Sequence, residues 1–392
     1  MKILMIHNRY LQRGGEDEST EAEIALLRRH GHQVDFLEVD NRVIESRSLV
    51  RTGIEAIWSP GSYRLVRERI RSSRCDVVHV QNFFPLLSPA IHYAARAEGK
   101  PVVQALRNYR LFCLNGIFFR DQRICEDCFG RSIPWPGVLH RCYRGSLAGS
   151  AVVAAMLITH RVLKTWSRQV DLFYTPSEFA RQKFIAGGLP AEKIVVKPNF
   201  VESADFHHLS PEAERKYALF VGRLVPEKGL LTLLDAWKKY ELPVPLKIVG
   251  DGPLANLVTE YARTSPFIEW LGQKARSEVY SLMRSAQILL FPTQSYETFG
   301  RVVVEAFAAA TPVIGSDIGS AAELIEEGVT GFRFRPGDVD DLAARVEWAW
   351  QHPEAMAEMG RKARQTYEEK YTAERNYHLL MAIYERAISQ AR

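Results

Sequence analysis

An α/β protein built from two doubly wound parallel-sheet domains is what this sequence predicts, on three observations. Its 392 residues are too many for one ordinary core and suit two domains of roughly two hundred residues or fewer. Short, near-continuous Val/Ile/Leu runs recur, which is the mark of strands covered on both faces and therefore parallel. Helical stretches separate these runs one by one, and strand–helix alternation gives a doubly wound sheet.

The runs fall into two series. KILMIH (2–7), QVDFLEV (33–39), DVVHVQ (76–81), PVVQAL (101–106), DLFYTP (171–176) and KIVVKP (193–198) form the first. ALFVGRL (218–224), LKIVGDG (246–252), FIEWLG (267–272), ILLFPT (288–293) and PVIGSD (312–317) form the second. Between them KPNFVESADFHHLSPEAE (197–214) is polar and carries two prolines, so it reads as the linker. The expected domains are 1–198 and 199–372, and TAERNYHLLMAIYERAISQ (372–390) reads as an amphipathic helix. In such sheets ligands sit beyond the carboxyl ends of the strands, so two facing domains would enclose a cleft.

Hydrophobic content of 46% and charged content of 25% are those of a soluble globular enzyme. No apolar run approaches the roughly 18 residues of a membrane span, and MKILMIHNRY has no signal-peptide form, so a cytoplasmic protein is expected. Residues 1–200 carry 29 Lys+Arg against 19 Asp+Glu, or +10, whereas 201–392 carry 22 against 27, or −5. The imbalance is either surface variation or a first half that faces an anionic partner such as a phospholipid surface. No recognised motif supports nucleic-acid binding. RGSLAGSAVVAAMLITHRVLKTWSRQ (144–169) is either a buried helix of the first domain or an interfacial helix lying on a membrane. RLVRERIRSSR (64–74) is a solvated helix face or shares that membrane role. Cys113, Cys125, Cys128 and Cys142 lie within 30 residues, a cluster that suggests structural zinc or buried free thiols.

Candidate site residues gather at strand ends. After the first strand, Gly14 and Gly15 open a helix, where backbone amides can approach a phosphate or sugar; the pattern is not GxGxxG, which argues against a nicotinamide dinucleotide. FVGRLVPEKG (220–229) places Gly222, Arg223 and Lys228 at one strand mouth, two cations suited to a diphosphate. VGDGP (249–253) and FIEWLGQ (267–273) bring Gly250 and Gly272 to strand ends, as nucleotide contacts or as ordinary turns. FPTQSYETFGRVVVEAFAAATPVI (291–314) reads strand, loop, helix, strand, with Glu297 in the loop, Gly300 at the helix start and Glu305 inside the helix. The amides of Phe299, Gly300 and Arg301 are helix N-terminal donors that attract phosphate. A loop carboxylate ahead of them suits sugar hydroxyls, and a helical one suits a ribose diol. The two do not flank one bond as an acid–base pair would, and no His or Asp cluster accompanies them for a metal.

ETFGRVVVE (297–305) and GRLVPEKG (222–229), with Gly14–Gly15 and PSEFARQKF…GLPAEKIVVKPNFV (176–201), resemble the family 4 retaining glycosyltransferases of the two-domain GT-B fold, from residue 1 to about 390. The resemblance implies two Rossmann-like domains and a last helix, 373–392, crossing back to the first. It implies that Glu297 holds donor-sugar hydroxyls, Glu305 the ribose, and Arg223 and Lys228 the leaving diphosphate. Gly222, Gly250, Gly272, Thr298, Phe299, Gly300 and Arg301 would line the donor, and Gly15 would meet the diphosphate from the first domain. The implied reaction moves a hexose-type sugar from a UDP- or GDP-sugar to a glycan or lipid-linked acceptor, with no metal or cofactor, in the cytoplasm or at the inner face of a membrane. One position departs: ALRNYRLFCLNG (105–116) has Arg107 where relatives carry His. Arg cannot accept a hydrogen bond, so an acceptor-side role as an anion binder is expected for it. Sugar-nucleotide epimerases and phosphorylases share the architecture, and a binding module without turnover is a third alternative.

Overall fold

The computed structural model describes residues 1–11, 14–46, 48–202 and 216–391, so most of the expected linker lies outside the described residues. In chain order the first elements are β1 (Lys2–Arg9), α1 (Gly15–Arg29), β2 (Gln33–Asp40), α2 (Leu49–Ile57), α3 (Pro60–Ser73), β3 (Val77–Asn82), α4 (Ala90–Ala97) and β4 (Val102–Ala105). A small antiparallel hairpin, β5 (Phe119–Arg120) and β6 (Arg123–Ile124), precedes α5 (Trp135–Leu139), α6 (Leu147–Val162), α7 (Thr165–Arg168), β7 (Leu172–Thr175), α8 (Glu178–Ala186) and β8 (Ile194–Val196). The rest comprises β9 (Tyr217–Val221), α9 (Leu230–Tyr240), β10 (Leu246–Val249), α10 (Ala255–Thr264), β11 (Ile268–Gly272), α11 (Arg276–Ser285), β12 (Ala286–Phe291), α12 (Arg301–Ala308), β13 (Val313–Ser316), α13 (Gly319–Leu324), β14 (Gly331–Phe334), α14 (Val339–Gln351), α15 (Pro353–Lys370) and α16 (Ala373–Ala391).

All eleven predicted strands are present, in two all-parallel sheets of order β2-β1-β3-β4-β7-β8 and β11-β10-β9-β12-β13-β14. Three strands went unpredicted. β14, GFRF, is an edge strand whose central Phe332 and Arg333 are only half-buried, so it lacks the continuous apolar run of its neighbours. The β5–β6 strands are two residues each, too short for any periodicity to register.

The chain forms two compact units: Met1–Phe118 with Cys125–Pro198 and Asn376–Arg392, and Asn199–Arg375 with the hairpin Phe119–Ile124. In the first, α1 and α16 pack on one face of the sheet through Ile24, Leu27, Leu380, Ile383 and Tyr384 against Ile3, Val77 and Leu172. In the second, α11, α12 and α15 cover one face and α9, α10 and α14 the other, burying Leu219, Leu289 and Val313 on one side and Phe220, Ile248 and Ile314 on the other. Helix starts follow capping chemistry: Ser59, Ser146, Ser177 and Asp338 each accept from a backbone N–H in the first turn of α3, α6, α8 and α14.

A buried polar network ties the first unit together. Glu23 of α1 accepts from Arg107 Nη2 (2.7 Å) and Lys197 Nζ (2.6 Å), while Lys197 also reaches Asn376 Oδ1 of α16 (2.9 Å). Burial opposes ionisation of Glu23, but the charges of Lys197 and Arg107 outweigh it and hold the carboxyl below its usual range. His79 joins through Tyr384 (2.6 Å) and Tyr174 (3.1 Å), and burial drives its imidazole down to about 3. His92, bonded to Gln104 Oε1 (2.7 Å), is likewise pushed down by burial to about 4. Both rings are neutral in the folded state, whereas an unfolded chain protonates them near the ordinary 6.5. The unfolded state therefore binds more protons below that value, and stability falls as the pH drops from 6.5 toward 4. Melting temperatures measured between pH 7 and pH 4.5 should fall, less steeply in His79→Gln; a flat profile contradicts neutral buried imidazoles.

Candidate active site

The second sheet changes direction between β9 and β12, which are hydrogen-bonded neighbours, β9 leading outward to β10 and β12 to β13. Such a switch point leaves a crevice at the carboxyl ends of the two strands, where ligands of doubly wound sheets bind. The loop after β9 carries Arg223 and Lys228, and the loop after β12 carries Glu297 to Gly300. Residues 74 positions apart, Arg223 and Glu297, thus belong to adjacent loops.

Backbone contacts fix these loops against each other. Gln294 N–H donates to Glu227 O (2.9 Å), and Thr293 Oγ1 donates to the same carbonyl (3.2 Å). Gly229 sits at φ 71° with Pro292 O pressed on it; a Cβ would lie 1.7 Å from that oxygen, so only glycine permits the approach. The result is that the Lys228 ammonium pairs with Glu297 Oε1, and Thr293 Oγ1 lies 3.4 Å from the same oxygen. Ser320 Oγ holds the Glu297 carbonyl (2.9 Å). Both members of the pair are partly open, at 23% and 20% side-chain exposure, so a ligand can reach them. Arg223 is more open still, with Glu227 Oε1 3.8 Å away.

At the start of α12, Gly300 has φ 93°, the left-handed conformation that a side chain would strain, and no side chain caps the helix. Phe299 is not a ligand surface: its ring is buried edge-on to Tyr371, which anchors the turn and leaves only its backbone for ligand contact. Thr298 is half-buried beside it. Glu305 is held by Arg301 Nε (3.0 Å) and Tyr280 OH (3.4 Å), so any diol it binds is met by a carboxylate of fixed orientation. Tyr280 had no signal in the sequence, because it lies in no motif and only the fold brings it to Glu305, whereas Thr293 ends the run ILLFPT four residues before Glu297.

The three glycines of β9, β10 and β11 line up across neighbouring strand ends. Gly250 N–H donates to Gly272 O (2.9 Å), Gly250 at φ 137° packs on Gly222 O, and Trp270 Nε1 donates to Gly250 O (3.0 Å). They form a backbone shelf at the strand ends, with Gly222 directly preceding Arg223.

In the first unit, the α1 start behaves differently from a bare phosphate cradle. Asp17 accepts from Gly14 N–H (2.9 Å) and lies 2.8 Å from His7 Nε2, and Glu16, Asp17 and Glu18 make the first turn acidic. A Cβ at Gly14 or Gly15 would meet nothing within 4 Å, so space rather than strain is what these glycines leave. Arg107 corrects the expectation made for it. Its side chain is 3% exposed and its guanidinium is bonded to Glu23, Gln81 and Tyr174, so it neutralises a buried carboxylate rather than presenting a charge to an acceptor. For the cysteines, structural zinc and buried free thiols were both left open by the sequence. Among the described residues no group of three or more His, Cys, Asp or Glu is arranged to hold a metal ion. Cys113 and Cys128 are buried, burial pushes the Cys128 thiol up to about 11, and its Sγ accepts from Gly137 N–H (3.2 Å).

Comparison with known proteins bears on the family and the fold. Residues 202–366 match the family described as Glycosyl transferases group 1, and residues 14–199 match Glycosyl transferase 4-like domain. An uncharacterized glycosyltransferase of Methanocaldococcus jannaschii, MJ1178, is 30% identical over 176 residues, 44% of this chain and 49% of that one. The phosphatidyl-myo-inositol mannosyltransferase of Mycobacterium tuberculosis is 38% identical over 133 residues, 33% of this chain and 35% of that one. The chain thus spans about half or less of the length of these relatives. Among solved structures, HepE of Anabaena in complex with UDP and glucose superposes with a TM-score of 0.70 over 98% of this chain and all of that one, at 19% identity, a likeness of fold. The chain is a GT-B protein and belongs to the group 1, family 4-like glycosyltransferases.

Proposed function

We propose that this glycosyltransferase moves a hexose-type sugar from a UDP- or GDP-sugar to a glycan or lipid-linked acceptor, with retention at the anomeric carbon and without a catalytic metal. The observation that carries the reading is the Lys228–Glu297 pair at the β9/β12 switch point, beside the uncapped start of α12. Lys228 and Arg223 neutralise the leaving diphosphate, with the Gly300–Arg301 amides facing the same charge. Glu297 takes the sugar hydroxyls, and Glu305, fixed by Arg301, takes the ribose diol. The acceptor hydroxyl approaches on the face from which the diphosphate leaves, and the departing oxygen receives its proton. No protein nucleophile is needed, so rate comes from positioning and from charge stabilisation. HepE, solved with UDP and glucose, supports a nucleotide-sugar donor. The mannosyltransferase relative supports a lipid-linked acceptor, which would place the reaction at the inner face of a membrane. A binding module without turnover is the second reading, because Arg107 stands where relatives carry His, and donor hydrolysis or transfer in vitro separates the two.

A thermal-shift panel of nucleotide sugars tests this. A donor at one hundred times its Kd adds about 2.7 kcal/mol of stability, enough to single it out. Transfer from that donor should give a product of unchanged anomeric configuration by NMR. No shift with any nucleotide sugar would overturn the reading, and an inverted product would overturn retention.

A further inference from the structure

α6 is neither wholly buried nor wholly a surface helix. Val153, Met156, Leu157 and His160 face the interior, while exposed Leu147, Ala151 and Val162, with half-buried Ala155 and Ile158 between them, form an apolar stripe at three- to four-residue spacing. α2 packs beside it: Gly53 lies against Val152, where a Cβ would sit 3.1 Å from the side chain, and His160 Nε2 bonds Ile57 O (2.8 Å). α5 packs on α6 as well, and Arg161 of α6 donates to Ser132 O (2.8 Å) just before α5. Ten of the sixteen exposed large apolar side chains among the described residues fall in 49–58 and 133–163, the two segments so joined. Leu49 is 79% exposed, Val50 74%, Ile54 63%, Leu139 64% and Val162 75%. Monomeric soluble proteins seldom leave such a cluster to water without a use for it.

Charge decides what covers it. From Cys128 to Val170 the chain has no Asp or Glu and six Lys or Arg: Arg131, Arg141, Arg144, Arg161, Lys164 and Arg168. A second copy brought face to face would set these cations against their like. α3 is no part of the surface, because its Arg67 and Arg71 pair with Glu98 and its Arg69 with Asp35.

We propose that the α2–α5–α6 face docks on an anionic lipid bilayer, apolar side chains entering the headgroup boundary and the cations meeting lipid phosphates. The inference gives the lipid-linked acceptor of the previous section a membrane surface, and it stands or falls by a separate measurement. The full chain is floated with vesicles of phosphatidylcholine alone and with roughly one-third phosphatidylglycerol. Binding is expected only with the anionic vesicles and should weaken with salt. Each cation near the surface is worth about fivefold, so Lys164→Gln/Arg168→Gln should bind about 25-fold more weakly. Val50→Asp/Ile54→Asp, on a separate helix, should lose tenfold or more. The nucleotide-sugar thermal shift should be unchanged in both variants, so a failed donor reading and a failed docking surface remain distinguishable. Equal binding to both vesicles, no binding to either, or variants that float like the parent overturn the proposal. Light scattering that shows a dimer which either variant makes monomeric also overturns it, and assigns the face to a second copy.

Discussion

Lys228→Ala lowers turnover by about 10²–10³ while the fold stays intact. The ammonium has three donors, and Glu297 takes one of them in the structure, so the others remain for a phosphate oxygen. Because the charge on that oxygen grows as the sugar bond breaks, its partner matters more in the transition state than in the ground state. The loss should appear in kcat as well as in kcat/KM. Melting temperature should barely move, since a partly open ion pair contributes about 1 kcal/mol or less. Lys228→Arg keeps the charge on a longer, planar head and should recover only part of the rate. An Ala variant that turns over like the parent would remove the charge clamp from the mechanism.

Glu23→Gln should cost about 3–5 kcal/mol of stability, because it strands two buried cations without their shared counter-charge. For a unit of this size that is a Tm drop on the order of 10 °C. Lys197→Met should be milder, since it removes one of two cations that compete for a single carboxylate. Thermal unfolding of the two variants at pH 7 checks the order. A Glu23→Gln protein as stable as the parent, or a Lys197→Met protein less stable than Glu23→Gln, contradicts the assignment of the charge.

The fold was legible because its strands are buried on both faces and read as unbroken apolar runs. β14 was not, because an edge strand needs no such run and GFRF carries a half-buried arginine in the middle. Candidate residues were found by their position at strand ends. What the sequence lacked was adjacency: nothing in the chain says that β12 lies beside β9, and that pairing is what brings Lys228 to Glu297. Arg107 misled for a related reason. An arginine after a strand looks like a ligand contact until Glu23, 84 residues earlier, is seen to occupy it. The cysteine cluster left zinc and free thiols both open, and among the described residues no group of three or more His, Cys, Asp or Glu is arranged to hold a metal ion.

The central claim is that the β9/β12 switch point grips a pyrophosphate by its charge. Calorimetric titration with UDP and GDP, each beside its monophosphate, tests it most directly, in the parent and in Arg223→Ala. For one base the diphosphate should bind the parent about 10–100-fold more tightly than the monophosphate, the worth of one or two charged hydrogen bonds, and Arg223→Ala should erase most of that difference. Monophosphate and diphosphate binding equally, or a preference that survives the loss of Arg223 unchanged, would contradict the account.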